Sequence, residues 1–221
     1  MCGIFGFSGP HDAELAARAL ALLRHRGPDA ARAFAGGEMT LGATRLAIVG
    51  VANGTQPFAN EDGDVVAVLN GEIYNFAPLR DELERRGHRF ATDTDGEVLV
   101  HLYEEEGDAL LARLEGIFAF AVWDARRRRL LLARDPMGVK PLFWTESAGR
   151  FRFASEIKAL LADPGLPRRV DPRAFDAQLA LGFVPGERTL FDGIRRLLPG
   201  HALVRTGDRL DIAPYWRLEV G

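Results

Sequence analysis

Met1-Cys2-Gly3-Ile4-Phe5-Gly6-Phe7 opens the chain, and the remaining segments are best read in relation to it. Ile4, Phe5 and Phe7 form the short apolar run of a buried strand, while Gly3 and Gly6 leave room for a close backbone or ligand approach. Cys2 is the single cysteine. A small residue in second place allows the initiator methionine to be trimmed, which would give Cys2 a free α-amine. Thiol and amine on one residue make a nucleophile with its own base, because thiolate is the attacking form. Their ordinary pKa values, about 8.5 and about 7.7–8.0, put the cost of moving the proton between them near ~1 kcal/mol. No His or Asp partner is then needed. Position alone is served equally well by a small buried apolar residue.

Composition narrows the function. With 221 residues, 47% of them hydrophobic, the chain can bury one sizeable core. A net charge of -3 gives no reason to expect nucleic acid or an anionic membrane as partner. No apolar run approaches the roughly 20 residues of a membrane span, and no signal peptide precedes Cys2. A cytoplasmic protein without nucleic-acid or membrane partners is therefore expected. One cysteine excludes an intrachain disulfide and a multi-cysteine zinc site. The histidines (His11, His25, His88, His101, His201) show no metal-ligand spacing, so no metal is expected.

Working outward, Asp12 is placed to cap a helix bearing Leu15, Ala19, Leu22 and Leu23. Gly27-Pro28 ends it in a loop. Strand-like segments follow at 31–35 and 39–49. Val65-Val66-Ala67-Val68-Leu69 reads as a buried strand ending at Asn70-Gly71. Asn75 is placed to cap a helix with Leu79 and Leu83 that stops at Gly87. A second amphipathic helix carries Val98, Leu99, Leu102 and Tyr103. Ile117–Trp123 and Leu130–Ala133 read as buried strands joined by a hairpin whose arginines, Arg126 to Arg129, face water. Two more strands and a short helix run from Leu142 to Leu161. A break at Asp163-Pro164-Gly165 separates a core of residues 1–162 from an extension of the same domain, 163–221, with a cap-then-Pro helix start at Asp171-Pro172. Strands in direct succession favour antiparallel hairpins and an α+β layered domain over a doubly wound parallel sheet.

Several residues carry alternative readings. Arg45 lies in an apolar strand and needs an anionic partner, either an internal carboxylate or a ligand. Asn70 and Gly71 offer an amide and a backbone N–H aimed at one spot, as an oxyanion requires, but Asn-Gly is also a common turn. Asp93, Asp95 and Glu97 are either helix-start acids or a seat for an ammonium group. Arg24 and Arg26 are either a solvated helix end or residues over a site.

Taken together, these pieces resemble the class II glutamine amidotransferase domain, an N-terminal-nucleophile (Ntn) hydrolase, in the branch fused to asparagine synthetase. The matching stretches are Cys2-Gly3-Ile4, His25-Arg26-Gly27-Pro28-Asp29, Arg45-Leu46-Ala47-Ile48-Val49, Gln56-Pro57, Asn70-Gly71-Glu72-Ile73-Tyr74-Asn75 and Asp95-Gly96-Glu97. Arg134-Asp135, Gly138-Val139-Lys140-Pro141-Leu142, Ala154-Ser155-Glu156-Ile157-Lys158-Ala159-Leu160 and Leu198-Pro199-Gly200-His201 complete the series, in the family's order.

The resemblance implies a four-layer αββα sandwich of two antiparallel sheets. It implies that Cys2 attacks the side-chain amide of L-glutamine, and that its amine serves as base and then acid. Asn70 and Gly71 would form the oxyanion hole. Arg45 would hold the α-carboxylate and Asp95 the α-ammonium, with Ile48, Val49 and Glu72 completing the substrate contacts. Arg26 would shield the thioester. No cofactor is implied for this chain, since ATP and Mg belong to a synthetase domain. The partner would be that domain or subunit, which receives ammonia for asparagine or a related amide; a homodimer is compatible with the resemblance.

Two departures stand out. Gly42-Ala43-Thr44 replaces a region where relatives often carry His, from which altered loop packing is expected, and Gly50 stands where Asp is common. No Ser-Gly-Gly-x-Asp-Ser loop and no Walker-type phosphate loop occurs, so either a fragment or a free-standing subunit is expected. The competing readings are a non-catalytic glutamine-sensing or docking module, and an Ntn enzyme acting on another amide. An amino-acid clamp of Arg45 and Asp95 speaks for a free α-amino acid.

Overall fold

The computed structural model describes residues 1–219; Val220 and Gly221, the end of the expected extension, lie outside the described residues. Two six-stranded antiparallel sheets stack face to face. In chain order the elements are β1 (Gly3–Ser8), α1 (Ala13–Leu23), β2 (Ala30–Gly36), β3 (Met39–Arg45), β4 (Phe58–Ala59), β5 (Val65–Ile73), α2 (Phe76–Arg85) and α3 (Val98–Glu106). They continue with β6 (Gly116–Asp124), β7 (Arg129–Arg134), β8 (Phe143–Ser147), β9 (Arg150–Ala154), α4 (Ile157–Leu160), α5 (Pro172–Leu181), β10 (Arg195–Arg196), β11 (His201–Thr206) and β12 (Arg209–Pro214). The first sheet runs β10-β8-β9-β1-β3-β2 and the second β12-β11-β7-β6-β5-β4.

The period-two alternation of a strand sorts residues into layers. Ile4, Leu41 and Ala43 of the first sheet meet Val66, Val68, Ala119 and Ala121 of the second in the central core. From the opposite face of β1, Phe5 and Phe7 take the apolar stripe of α1 (Leu15, Ala16, Ala19, Leu23) and the short α4. From the opposite face of the second sheet, Ala67, Leu69, Phe118 and Phe120 take α2 and α3. The result is helix, sheet, sheet, helix, the layered α+β architecture expected. The segment after 163 is woven into it, since β10 pairs with β8 and β11 with β7. Among the described residues, no helix is long and apolar enough to cross a membrane.

Local chemistry explains several boundaries. Asp12 Oδ1 accepts from Leu15 N at 2.9 Å and caps α1. Asp171 caps α5, with Pro172 in the first turn and Gly182 at φ +78° closing the other end. Asn75 behaves otherwise than expected. It makes no cap on α2; its amide donates to Arg113 O at 2.7 Å and accepts from Glu115 N at 3.0 Å, tying the helix start to the entry of β6. The strand expected to end at Leu69 also continues. β5 stays paired with β6 through Ile73, so Asn70 and Gly71 sit inside a ladder and not on a turn.

Glycine sets the spacing within the first sheet. Phe5 pairs with Gly42, and a Cβ at Gly42 would lie 2.1 Å from the Phe5 ring. Likewise a Cβ at Gly6 would lie 2.4 Å from the ring of Phe153. The room at Gly6 thus holds an aromatic ring from the neighbouring strand. Gly42→Val is expected to drive Phe5 off α1 and lower the unfolding free energy by about 1–3 kcal/mol, as overpacked cores do. Urea denaturation checks this, and an unchanged midpoint would show that the strand can give way.

Candidate active site

The seam between the sheets brings the ends of three strands together. Cys2 immediately precedes β1, Arg45 closes β3, and Asn70-Gly71-Glu72 lie in β5. One cavity is lined by Cys2, Arg45, Gly71, Glu72 and Asp95, with Ile48 and Val49 from the loop after β3. Its volume is about 20 Å³, enough for a water and far less than an amino acid needs. The loop 46–56 walls the cavity on the side of β3. Ile48 lines the cavity yet is 58% exposed, which puts it at the mouth.

The Cys2 thiol lies between two partners. Its Sγ is 3.8 Å from Leu46 O, to which it donates, and 3.8 Å from Gln56 Nε2, which donates to it. Gln56 Oε1 in turn accepts from Leu69 N at 2.8 Å, so the edge of β5 orients the amide that faces the sulfur. Gln56 was not among the expected site residues; its only sequence signal was membership of the Gln56-Pro57 stretch. Burial pushes the thiol above its ordinary pKa, against the positive charges of the chain terminus and Arg45.

Arg45 is buried and lacks an ion pair among the described residues. Its Nη2 donates to Val49 O at 2.8 Å and Gly50 O at 2.9 Å. The internal carboxylate that would satisfy a structural arginine is missing, and part of its donor fork stays free. Gly54 allows this wrapping, because a Cβ there would lie 2.2 Å from Nη2. Gly50, at φ +62°, supplies one of the two carbonyls, and a Cβ there would press on the Asp93 backbone at 2.9 Å.

The acidic side is built differently. Asp95 Oδ2 accepts from Ile73 N at 2.7 Å, an anchor to the end of β5. Neither Asp95 nor Glu97 caps α3 as a first-turn acid would: the Glu97 carboxylate turns back to Ala91 N and Thr92 N. Burial raises the Asp95 pKa. Burial also raises that of Glu72, with the charge of Asp95 adding to it and Lys140 opposing it. In both cases burial is the leading cause, and Arg45 opposes it at Asp95; two desolvated carboxylates are each relieved by a positive group seated beside them. Such a site favours a cation.

Asn70 is 0% exposed, and neither Nδ2 nor Oδ1 has a hydrogen-bond partner among the described residues. An orphaned amide in a core is costly, so a group that satisfies it from the cavity side would be favoured. Gly71 follows at φ +152°, where a Cβ would lie 2.1 Å from Ile117 O. Only glycine lets the strand pass there.

Arg26 does not line the cavity. Its Nε donates to Cys2 O at 2.9 Å, and its Nη1 pairs with Glu156 at 2.9 Å. Hydrogen bonds from Arg26, His25 and Lys158 outweigh the upward push of burial and bring the Glu156 pKa down to about 2. The loop carrying Arg26 is seated by Gly27, where a Cβ would meet the Thr44 backbone at 2.4 Å. Thr44, in the region of the first departure, is buried and donates to Leu23 O at 3.1 Å, joining β3 to the end of α1.

A wider cavity of about 430 Å³ opens at the far end of β1. Its charged residues pair among themselves, Arg128 with Glu38 and Arg205 with Asp208, and the Ser8 hydroxyl on its wall accepts from Phe151 N at 2.9 Å.

Comparison with known proteins places the sequence and the fold. The chain is 41% identical to asparagine synthetase [glutamine-hydrolyzing] 3 of Bacillus subtilis, over 99% of this chain and 37% of that protein. It is 42% identical to a putative asparagine synthetase [glutamine-hydrolyzing] of Mycobacterium tuberculosis, over 90% of this chain and 34% of that protein. It thus spans about a third of the length of these curated relatives. Among solved structures, the glutamine phosphoribosylpyrophosphate amidotransferase of B. subtilis has the same fold, at 22% identity and a TM-score of 0.70, over 97% of this chain and 49% of that one. A family model described as a glutamine amidotransferase domain matches residues 1–216. With nearly the whole described chain matched, this protein belongs to the glutamine amidotransferase domain family.

Proposed function

We propose that this chain hydrolyses the side-chain amide of L-glutamine through a thioester on Cys2 and delivers the ammonia to a synthetase domain or subunit that makes asparagine or a related amide. The observation that carries this reading is one cavity lined at once by a thiol, a guanidinium with free N–H groups and two carboxylates of raised pKa. That set matches a free α-amino acid presenting a carboxylate, an ammonium and an electrophilic carbonyl.

The steps follow from the residues. Because burial holds Cys2 as the thiol, a base must take its proton before attack. The α-amine of Cys2, free once Met1 is removed, is the nearest such base along the chain. Thiolate sulfur bonds to the amide carbon, and the carbonyl electron pair moves onto oxygen. Asn70 Nδ2 and Gly71 N–H stabilise that oxyanion. The protonated amine returns its proton to the leaving nitrogen, the C–N bond breaks and ammonia departs. Water then cleaves the thioester to glutamate and regenerates the thiol. Arg45 and Asp95, with Ile48, Val49 and Glu72, hold the amino-acid end of the substrate. Arg26, tied to the Cys2 carbonyl, keeps the nucleophile in register and covers its rear.

The acceptor side of the proposal rests on α5. Only Ala174 of that helix is buried, while Phe175, Leu179 and Leu181, together with the following Phe183, stand exposed. An apolar patch of this kind suits a partner domain. The same reading places the protein in the cytoplasm, where ATP for amide synthesis is available.

Cys2→Ala is expected to abolish ammonia release from glutamine with an unchanged unfolding midpoint, and the active wild-type chain is expected to have the mass of a protein lacking Met1. Full hydrolysis by the variant would end the assignment, and activity in a chain retaining Met1 would remove the amine as base. Asn70→Ala should lower kcat by about 10²–10³ with little change in KM, the signature of a lost oxyanion donor. The pH dependence has a definite sign. Asp95 and Glu72 have raised pKa values when the site is empty, and an ammonium group lowers them. The glutamine KM should therefore rise as pH falls, beginning above the ordinary carboxylate range. Steady-state kinetics from neutral to mildly acidic pH test this, and a KM that falls on acidification would contradict the ammonium seat.

A further inference from the structure

His88, in the segment after α2, and His101, on α3, meet at the outer edge of the second sheet with Glu61 and Glu104. Their imidazole rings lie 4.8 Å apart, centroid to centroid. The four side chains offer one ligand atom each, all within 4.8 Å of one another. Three elements contribute: the turn before β5, the segment after α2, and α3 itself.

His101 is the decisive residue. It is 0% exposed, and neither ring nitrogen has a hydrogen-bond partner among the described residues. Its Nδ1 faces Glu61 at 3.3 Å and Glu104 at 3.7 Å, while His88 Nδ1 faces Glu61 at 3.4 Å. A satisfied imidazole–carboxylate bond would be nearer 2.7–2.9 Å. Ligand atoms about 2.0–2.2 Å from a tetrahedral zinc ion, by contrast, stand roughly 3.4 Å from each other. The separations fit donors placed around a common point better than donors bonded to each other.

The outer contacts follow the same logic. Metal-bound histidines usually direct their second nitrogen at a carboxylate. His88 Nε2 has Glu105 at 3.2 Å, whereas Glu97 stands 3.8 Å from His101 Nε2, beyond hydrogen-bond length but on the side away from the cluster's common point. The carboxylates are oriented in turn: Arg89 N donates to Glu61 at 2.8 Å and Asn60 Nδ2 to Glu104 at 2.8 Å. Glu61 and Glu104 are partly exposed, leaving a path for entry.

We propose that Glu61, His88, His101 and Glu104 form a structural site for a divalent cation of the zinc class. Two imidazoles and two carboxylates are the donor set of a borderline ion, and four protein ligands leave no open position for catalysis. The ion braces the start of α3 against the turn before β5. Glu97, which backs His101, lies two residues after Asp95, so the brace supports the loop bearing the acidic side of the candidate active site.

The test uses the full chain carrying Cys2→Ala, so that the thiol cannot bind the metal. The protein is stripped with chelator and titrated with zinc against a chromophoric competitor, and thermal unfolding is followed with and without zinc. One equivalent bound per chain and a zinc-dependent rise in Tm are expected. Glu105→Gln, outside the ligand set, should weaken binding by about 10–100-fold. His88→Gln and Glu104→Gln, both at partly exposed ligands, should weaken it further and remove the Tm shift. Absence of binding, or binding that these variants leave unchanged, would overturn the site and leave His101 as the centre of an ion-pair cluster.

Discussion

Stacking of the two sheets is the constraint on which the candidate site depends. Cys2 leads into the first sheet and Arg45 closes one of its strands, Asn70, Gly71 and Glu72 lie in the second, and no local turn could bring them together. Ile4, Leu41 and Ala43 pressed against Val66, Val68 and Ala119 set the separation of the sheets and their offset along the strands. β1 is held on one edge by β3 and on the other by β9, so the residue just before it has little freedom. The geometry of the candidate site is thus a by-product of core packing. A shift of an ångström in that core would part the thiol from the amide proposed to hold the oxyanion.

Within that frame the site stores unsatisfied polarity. Among the described residues Asn70 lacks partners, Asp95 and Glu72 have raised pKa values, and Arg45 spends only part of its fork on backbone carbonyls. Each would be a defect in a structural core, and under the proposed function each would be resolved by one zwitterionic ligand with a polar carbonyl. The loop 46–56 carries both the thiol's carbonyl partner and the carbonyls that hold Arg45. One loop therefore touches both the guanidinium and the thiol.

Much of the fold was legible in the chain. The continuous apolar runs Val65–Leu69 and Ile117–Trp123, and the stripe on α1, report burial directly, because an apolar run and a 3.6 period are local properties. Asp12 and Asp171 cap as their positions suggested. Asn75 did not, since tertiary contact with Arg113 and Glu115 outbid a local cap. Asn70-Gly71 carried a turn signature that the ladder to β6 overrode, with room at Gly71 that only glycine provides. Gln56 was barely visible as a site residue, because its role depends on the edge of a strand that follows it in sequence.

By itself, then, the order of residues determined which chemical groups exist and which segments bury which faces. A lone thiol at the second position, an arginine in an apolar strand and the succession of strands are all readable without coordinates. The tertiary structure alone decided that Arg45 has no counter-ion among the described residues, that Arg26 anchors to the Cys2 carbonyl, and that His88 and His101 converge with Glu61 and Glu104. The physical reason is range. Propensity, capping and periodicity act over a few residues, whereas the partner of a buried charge or an imidazole is chosen by which distant surfaces the core brings into contact.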